Sequence, residues 1–377
     1  MVSMLTIDCD FPGGNILLDR VEGDDVYLHA DMRDTEGEWF YWAFRLRHGA
    51  GRRLRFHFAP QKPVGMKGAA LSQDGGLSWR WQEGAFTVDG FVLDVPAAAP
   101  EILVAVSFVY TQAHWDQFLA TLPPSAAWST GVLCRTRKGR NVEILRLGAP
   151  DGVAERRVIF TARHHCCEMI ASFTMEGIIT EILGGVGAAA WLRERVRFLF
   201  IPFVDKDGVE DGDQGKNRRP RDHNRDYIGS SVHVETAAIR KLLQPWADAH
   251  GIDAAIDLHC PGLRGSGHDV VFQVGREDPK CWAEQVRFGE RLEAVCSPAG
   301  LPYLTANNLP FGQGWNCAAN SKGGMGFSRW AAGLPGVRLA TTLEIPYASA
   351  GGVEVSAERA RQLGRDIAAA LADYLRT

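Results

Sequence analysis

The chain has 377 residues, 46% of them hydrophobic and 23% charged, the composition of an ordinary globular protein long enough for two cores. With 41 basic against 45 acidic side chains, a formal net charge of -4, it lacks the positive field that grips nucleic acid, so no nucleic-acid partner is expected. No stretch approaches the roughly 18 consecutive apolar residues of a membrane span, so no membrane partner is expected either.

Met1 to Gly14 lack a basic segment followed by a long apolar run, so no secretory signal is expected. Eight cysteines over this length are too dilute for a disulfide framework. Reduced thiols and a cytoplasmic location are the expectation.

The first 125 residues read as all-β. Aromatic and branched stretches at Val26–His29, Trp39–Leu46, Leu54–Phe58, Phe86–Leu93 and Ile102–Tyr110 alternate with turn signals such as Gly13-Gly14, Gly23-Asp24 and Asp89-Gly90. This spacing predicts an antiparallel β-sandwich domain over 1–125, closed by Pro123-Pro124-Ser125. Over 126–377 the rhythm changes to strands alternating with helices. Strands are expected at Arg157–Thr161, Val196–Val204, Ala254–Leu258 and Leu339–Ile345. Helices are expected at Glu168–Leu183, Val234–Ala249, Cys281–Val295 and Ala357–Leu375. Such alternation predicts an α/β domain with a parallel or mixed sheet covered on both faces, and functional residues at the carboxyl ends of its strands.

Chemistry-bearing residues fall at those ends. His165 and Glu168, three apart after the first of these strands, can turn an imidazole and a carboxylate toward one ion. His259 follows the apolar run Ala254–Leu258, and Glu344 sits in Thr341–Ile345, where an unpaired charge would be costly. Two histidines and a carboxylate leave a fourth zinc position open for water, and a further carboxylate can take that water's proton.

The ordered set of motifs resembles the zinc carboxypeptidase family, particularly its cytosolic carboxypeptidase branch. The resemblance runs through Phe160–Gly177 (FTARHHCCEMIASFTMEG), Ile201–Tyr227 (IPFVDKDGVEDGDQGKNRRPRDHNRDY), Asp257-Leu258-His259 and Thr342-Leu343-Glu344. Phe11–Ile16, Trp39–Trp42 and Phe108–Leu119 are similar to that branch's preceding β domain. The resemblance implies one zinc per chain on His165, Glu168 and His259, with Glu344 as general base. It implies that Asn224 and Arg225 hold a substrate's terminal carboxylate, and that Arg218 or Arg219 stabilises the developing oxyanion. A guanidinium fork suits the carboxylate, matching it with two charge-assisted hydrogen bonds.

A peptide or protein C-terminus is the substrate so implied. Arg329, fifteen residues before Glu344, stands where the family places the base of the side-chain pocket, which implies a preference for C-terminal glutamate or aspartate. The chain also departs from the family. Cys166-Cys167 replaces the usual Pro-Gly, and Ser321–Ala340 holds no tyrosine where the family has one before the glutamate, with Trp330 near that place. Two other readings share the zinc logic: an amidase of the aspartoacylase or succinylglutamate desuccinylase type, and a zinc-binding recognition protein with impaired catalysis.

Overall fold

Two small sheets open the chain in this computed structural model, which describes residues 4–265, 267–321 and 323–377. The first three residues of the expected β unit lie outside the described ones. One sheet runs β1 (Thr6–Asp8), β4 (Ala43–Arg47), β9 (Glu101–Ala105), β6 (Ala70–Ser72) and β7 (Arg80–Trp81). The other runs β2 (Leu17–Glu22), β3 (Asp25–His29), β5 (Arg53–Phe58) and β8 (Gly90–Asp94).

Aromatic residues join the two sheets: Trp42 lies 4.9 Å from Phe58 and 5.7 Å from Phe91, and Phe44 lies 5.3 Å from Phe56, between ring centroids. The arrangement is not purely antiparallel, because β3 and β5 pair in parallel. Between them the chain crosses to the other sheet as β4, so β5 returns in the same direction as β3. Trp39 to Trp42, expected as strand, are irregular, and the strand begins at Ala43.

Helix α1 (Gln112–Thr121) precedes the expected break at Pro123 and buries Trp115 and Phe118. The segment after the break forms an antiparallel hairpin, β10 (Trp128–Arg135) and β11 (Asn141–Gly148), which had no strand expectation. These strands begin a seven-stranded mixed sheet in the order β10-β11-β13-β12-β14-β16-β15. Its centre is parallel: β13 (Val196–Ile201), β12 (Arg156–Ala162), β14 (Ala254–His259) and β16 (Leu339–Glu344), with β15 (Phe272–Gln273) antiparallel at the edge. β13 stops at Ile201, before the expected Val204, because Pro202 has no N–H for the ladder.

Alternation along the buried strands divides the core into two layers. Val158 and Phe160 join the cluster of α2 (Ile170–Gly184) and α8 (Ala357–Arg376), while Ile159 between them joins that of α5 (Val234–His250) and α7 (Phe327–Ala331). The helices α3 (Ala188–Arg195), α4 (Lys206–Asp211) and α6 (Pro279–Val295) complete the cover. Glycines let α2 and α8 touch: a Cβ on Gly177 would collide with the Arg361 carbonyl, and one on Gly364 with that of Thr174. The α2–α8 cluster is continuous with the aromatic core of the first two sheets.

Candidate metal centre and active-site cleft

β12, β14 and β16 run side by side in parallel, so their carboxyl ends share one edge. His259 ends β14 and Glu344 ends β16, and the two are direct register partners. His165 and Glu168 lie in the loop between β12 and α2, which begins only at Ile170. Their convergence therefore comes from a turn closed by Glu168 N–H donating to the His165 carbonyl at 3.2 Å, not from a helical face.

Arg163, which sequence reasoning passed over, staples this turn. It adopts a left-handed φ of 62° and is buried. Its guanidinium donates to the Cys166 carbonyl at 2.8 Å, the Tyr110 carbonyl at 3.0 Å and Ser172 Oγ at 3.1 Å.

The donor atoms of His165, Glu168 and His259 all lie within 4.8 Å of one another and are buried. His165 Nδ1 is 2.9 Å from Glu168 Oε1, and His259 Nδ1 is 2.7 Å from Glu168 Oε2. The opposite ring edges are held by carboxylates, His165 Nε2 at 3.1 Å from Asp222 and His259 Nε2 at 2.6 Å from Asp257. Carboxylates there favour the tautomer with the proton on Nε2, which turns both Nδ1 lone pairs toward Glu168. Beside them Glu344 Oε2 is buried and has no hydrogen-bond partner among the described residues. This convergence of two imidazole nitrogens and a carboxylate, with a second carboxylate alongside, is a donor set that fits zinc.

Burial alone would raise the Glu168 carboxyl, but Lys216, His165 and His259 hold it well below the usual carboxylate range. Glu344 is raised, first by burial and then by Glu168, against the opposing pull of His259 and Lys216.

Two further groupings do not form such a centre. His164, beside Asp257, has Nδ1 at 2.8 Å from that carboxylate and Nε2 at 2.7 Å from the Tyr227 hydroxyl, so both its nitrogens are occupied. His223 and His233 lie near Glu235, but their rings stack face to face with centroids 3.6 Å apart. His233 Nε2 is moreover taken up by the Arg221 carbonyl at 2.7 Å.

Two cavities meet at the metal centre. One, of about 120 Å³, is lined by Arg225, Arg276, Ser328, Arg329, Thr342 and Glu344 among others. The other, of about 330 Å³, is lined by Trp39, Lys216, Pro261, His268 and Trp315, together with Arg225 and Glu344. Asn224 lines the first cavity but is partly spoken for, since its Oδ1 accepts from Phe327 N–H at 2.9 Å. Gly324 lets this wall close, because a Cβ there would collide with the Arg225 carbonyl.

Arg329 does reach the smaller cavity, where its partner Glu277 is 3.9 Å away. Arg276, absent from the sequence expectations, lines it as well. Burial and the neighbouring Arg329 push the Arg276 guanidinium down to about 10.

The arginines expected at the oxyanion are elsewhere. Arg218 is enclosed by Asp205 at 2.6 Å, Asp213 at 3.0 Å and Asp34 at 3.5 Å. Arg219 is 75% exposed and pairs with Glu36 at 2.6 Å. The cation beside the metal centre is Lys216, whose Nζ lies 2.7 Å from Glu168 Oε1. Sequence reasoning missed it because a lysine in a loop of mixed charge carries no distinguishing signal.

Cys166 and Cys167 are buried. Burial pushes the Cys166 thiol well up and that of Cys167 to about 12, which suits packed thiols. Trp330 packs against Tyr227, with centroids 5.4 Å apart, and lies outside the residues lining the two cavities. Among the described residues no single helix is long and apolar enough to cross a membrane.

Residues 115–259 match the sequence profile described as zinc carboxypeptidase. Cytosolic carboxypeptidase 2 of Danio rerio is 30% identical over 234 residues, which is 53% of this chain and 32% of that protein, so the chain spans about a third of its length. A metallo-carboxypeptidase structure from Burkholderia cenocepacia superposes with a TM-score of 0.81 over 99% of both chains at 24% identity. A metallo-carboxypeptidase from Pseudomonas aeruginosa, in complex with (2-guanidinoethylmercapto)succinic acid, gives 0.75 over 98% of this chain and 99% of its own at 22% identity. Both share the fold. Over residues 115–259 the chain thus carries a zinc carboxypeptidase domain.

Proposed function

We propose that the protein is a metallocarboxypeptidase that removes single residues, acidic ones preferentially, from peptide C-termini. The observation that carries this reading is the meeting of His165, Glu168, His259 and Glu344 at one sheet edge, with Arg225 lining both adjoining cavities.

In this reading His165, Glu168 and His259 hold zinc, which when bound polarises the scissile carbonyl and acidifies water. Glu344 takes a proton from the attacking water and returns it to the departing amine as the C–N bond breaks. Burial raises its carboxyl, the direction that helps a group which first takes a proton and then returns it. Arg225, with Asn224, holds the terminal carboxylate. Arg276 and Arg329 receive the side chain of the departing residue, and two guanidinium groups facing one small cavity favour a carboxylate there. Residues 1–125 serve as a β unit that contributes Trp39 to the rim of the larger cavity. A cytoplasmic location fits the cytosolic branch that the chain resembles.

The test is a panel of peptides ending in Glu, Lys or Phe, each with a free and an amidated C-terminus. Release of the last residue from free termini only, with Glu fastest, is the expected result. Cleavage of acylated amino acids but no peptide would favour the amidase reading, and zinc binding without any turnover the recognition protein.

A further inference from the structure

Both parts of the chain wall the larger cavity. Trp39 comes from the first β unit, while Pro261, Gly262 and His268 come from the segment that follows His259. Trp315 borders both cavities and so stands where they meet. The charged groups in the lining are largely spent on one another: Lys216 Nζ lies 2.7 Å from Glu168, and His165 Nε2 lies 3.1 Å from Asp222. Trp39, Pro261 and Trp315 give the rest of the lining an aromatic, apolar character.

These walls are held in place before any ligand arrives. The Trp39 indole N–H donates to the Glu36 carbonyl at 3.2 Å, and its ring meets Phe40 edge-on with centroids 6.1 Å apart. Two residues on, Tyr41 N–H donates to Gln214 Oε1 at 2.7 Å, and the Gln214 amide donates back to the Tyr41 carbonyl at 2.8 Å. This clamp fixes the Trp39 segment to the loop that carries Lys216. The segment after His259 is tied to the same β unit, because Arg264 donates to the Val64 carbonyl at 2.7 Å and the Gly65 carbonyl at 2.9 Å. Gly262 lets His268 fold onto this wall, since a Cβ there would stand 2.8 Å from the imidazole. A pocket fixed in this way loses little freedom when it is filled.

We propose that the larger cavity selects the residue before the scissile bond, that it takes an aromatic side chain there, and that Trp39 is the specificity-determining residue. The inference rests on the carboxypeptidase reading and narrows its substrate class. A peptide with its last side chain in the Arg276–Arg329 cavity runs back past Arg225 and Glu344, which line both spaces, into the larger one. At about 330 Å³ that space lies at the small end of ligand pockets, with room for a single large side chain. An aromatic ring there packs against the Trp39 indole and gains by leaving water. A carboxylate in the same place would lose its hydration beside indole faces and would meet Asp222 and Glu344 in the lining. Peptides that end in an aromatic residue followed by an acidic one are therefore the favoured class, and runs of acidic residues are disfavoured.

The experiment measures kcat/KM for the peptides acetyl-Gly-Gly-Xaa-Glu, with Phe, Ala or Glu as Xaa, on zinc-loaded wild type, Trp39→Ala, Trp39→Phe and Trp39→Lys, each with a thermal melt. Wild type is expected to favour the Phe peptide over the Ala peptide about tenfold or more, the worth of burying a phenyl ring in place of a methyl, and to cleave the Glu peptide no better than the Ala one. Trp39→Ala should bring the Phe preference close to unity, and Trp39→Phe should keep most of it. Trp39→Lys should raise the Glu peptide above the Phe one. A residue that only supports the fold would lower all three peptides together and leave their ranking alone. Should Trp39→Ala fail to fold, the Phe and Lys variants carry the same comparison.

The inference is overturned if wild type cleaves the three peptides alike or prefers the Glu one. A Phe preference that survives intact in Trp39→Ala overturns it too, since Trp39 would then serve the β unit alone. In each of these cases a wild type that releases C-terminal glutamate leaves the carboxypeptidase reading standing. A wild type that cleaves none of the peptides removes that reading, and the inference with it.

Discussion

His259 and Glu344 are direct partners in the parallel pairing of β14 and β16, each the last residue of its strand. One ladder therefore sets a proposed metal ligand and the proposed base side by side, on strands buried along their length. Rigid strands hold such a pair more precisely than loops would.

His259→Ala should lose most of the bound zinc. It removes one of three protein ligands, and the remaining pair from one turn makes a weak site. Elemental analysis after gel filtration checks this, and undiminished zinc in the variant rules out the assignment.

Glu344→Gln should keep both fold and metal while turnover falls about 10²–10⁴-fold, because the isosteric amide cannot accept a proton. Metal content, a thermal melt and peptide turnover measured on one preparation separate loss of the base from loss of the site. Turnover within a few-fold of wild type excludes Glu344 as the base.

Removing positive charge from the small cavity should weaken the preference for acidic residues. Arg276 is part-buried, makes no side-chain hydrogen bond or ion pair among the described residues, and faces Arg329. Arg276→Ala should therefore cost Glu-ending peptides more than Arg329→Ala, whose side chain is 42% exposed. Each 1.4 kcal/mol of lost preference is about tenfold in kcat/KM. Phe-ending peptides should be little affected. Equal losses on Glu and Phe would mean that the arginines shape the cavity without reading charge.

Asp226 should make stability depend on acid. Fully buried, it accepts from Val232 N–H and His233 N–H at 3.0 Å each and from Arg221 at 2.9 Å, tying the loop that carries Arg225 to the start of α5. Burial works to raise its carboxyl, but Thr236 and these backbone donors outweigh it and hold it below its ordinary value of 3.8. A folded value below the unfolded one means that the stabilisation is full above pH 4 or so and fades as pH falls through the folded value. Asp226→Asn should cost about 1–3 kcal/mol at pH 7, with the gap to wild type narrowing below about pH 4. Urea unfolding across that range reads it directly, and a gap independent of pH would assign the cost to packing.

By itself the sequence determined the parts that follow from local pattern. Apolar runs ending in His259 and Glu344 announced buried strands with polar ends, and the helices over 234–250 and 357–376 lie within two residues of their expectation. His165 and Glu168 were legible as a candidate pair only through the ordered motifs of the resemblance, which do not depend on the turn that joins them. Tertiary structure alone decided which cation stands beside the metal centre. Arg218, Arg219 and Lys216 lie within four residues on one polar loop, and nothing local ranks them. Asp34, from the first β unit, joins Asp205 and Asp213 in enclosing Arg218, while the turn at Gly215 leads Lys216 inward to Glu168. Arg276 was hidden for the same reason: its value lies in facing Arg329 across a cavity, and the two are more than fifty residues apart in the chain. Coulomb energy depends on distance in space, and for side chains so far apart in sequence only the folded chain sets that distance.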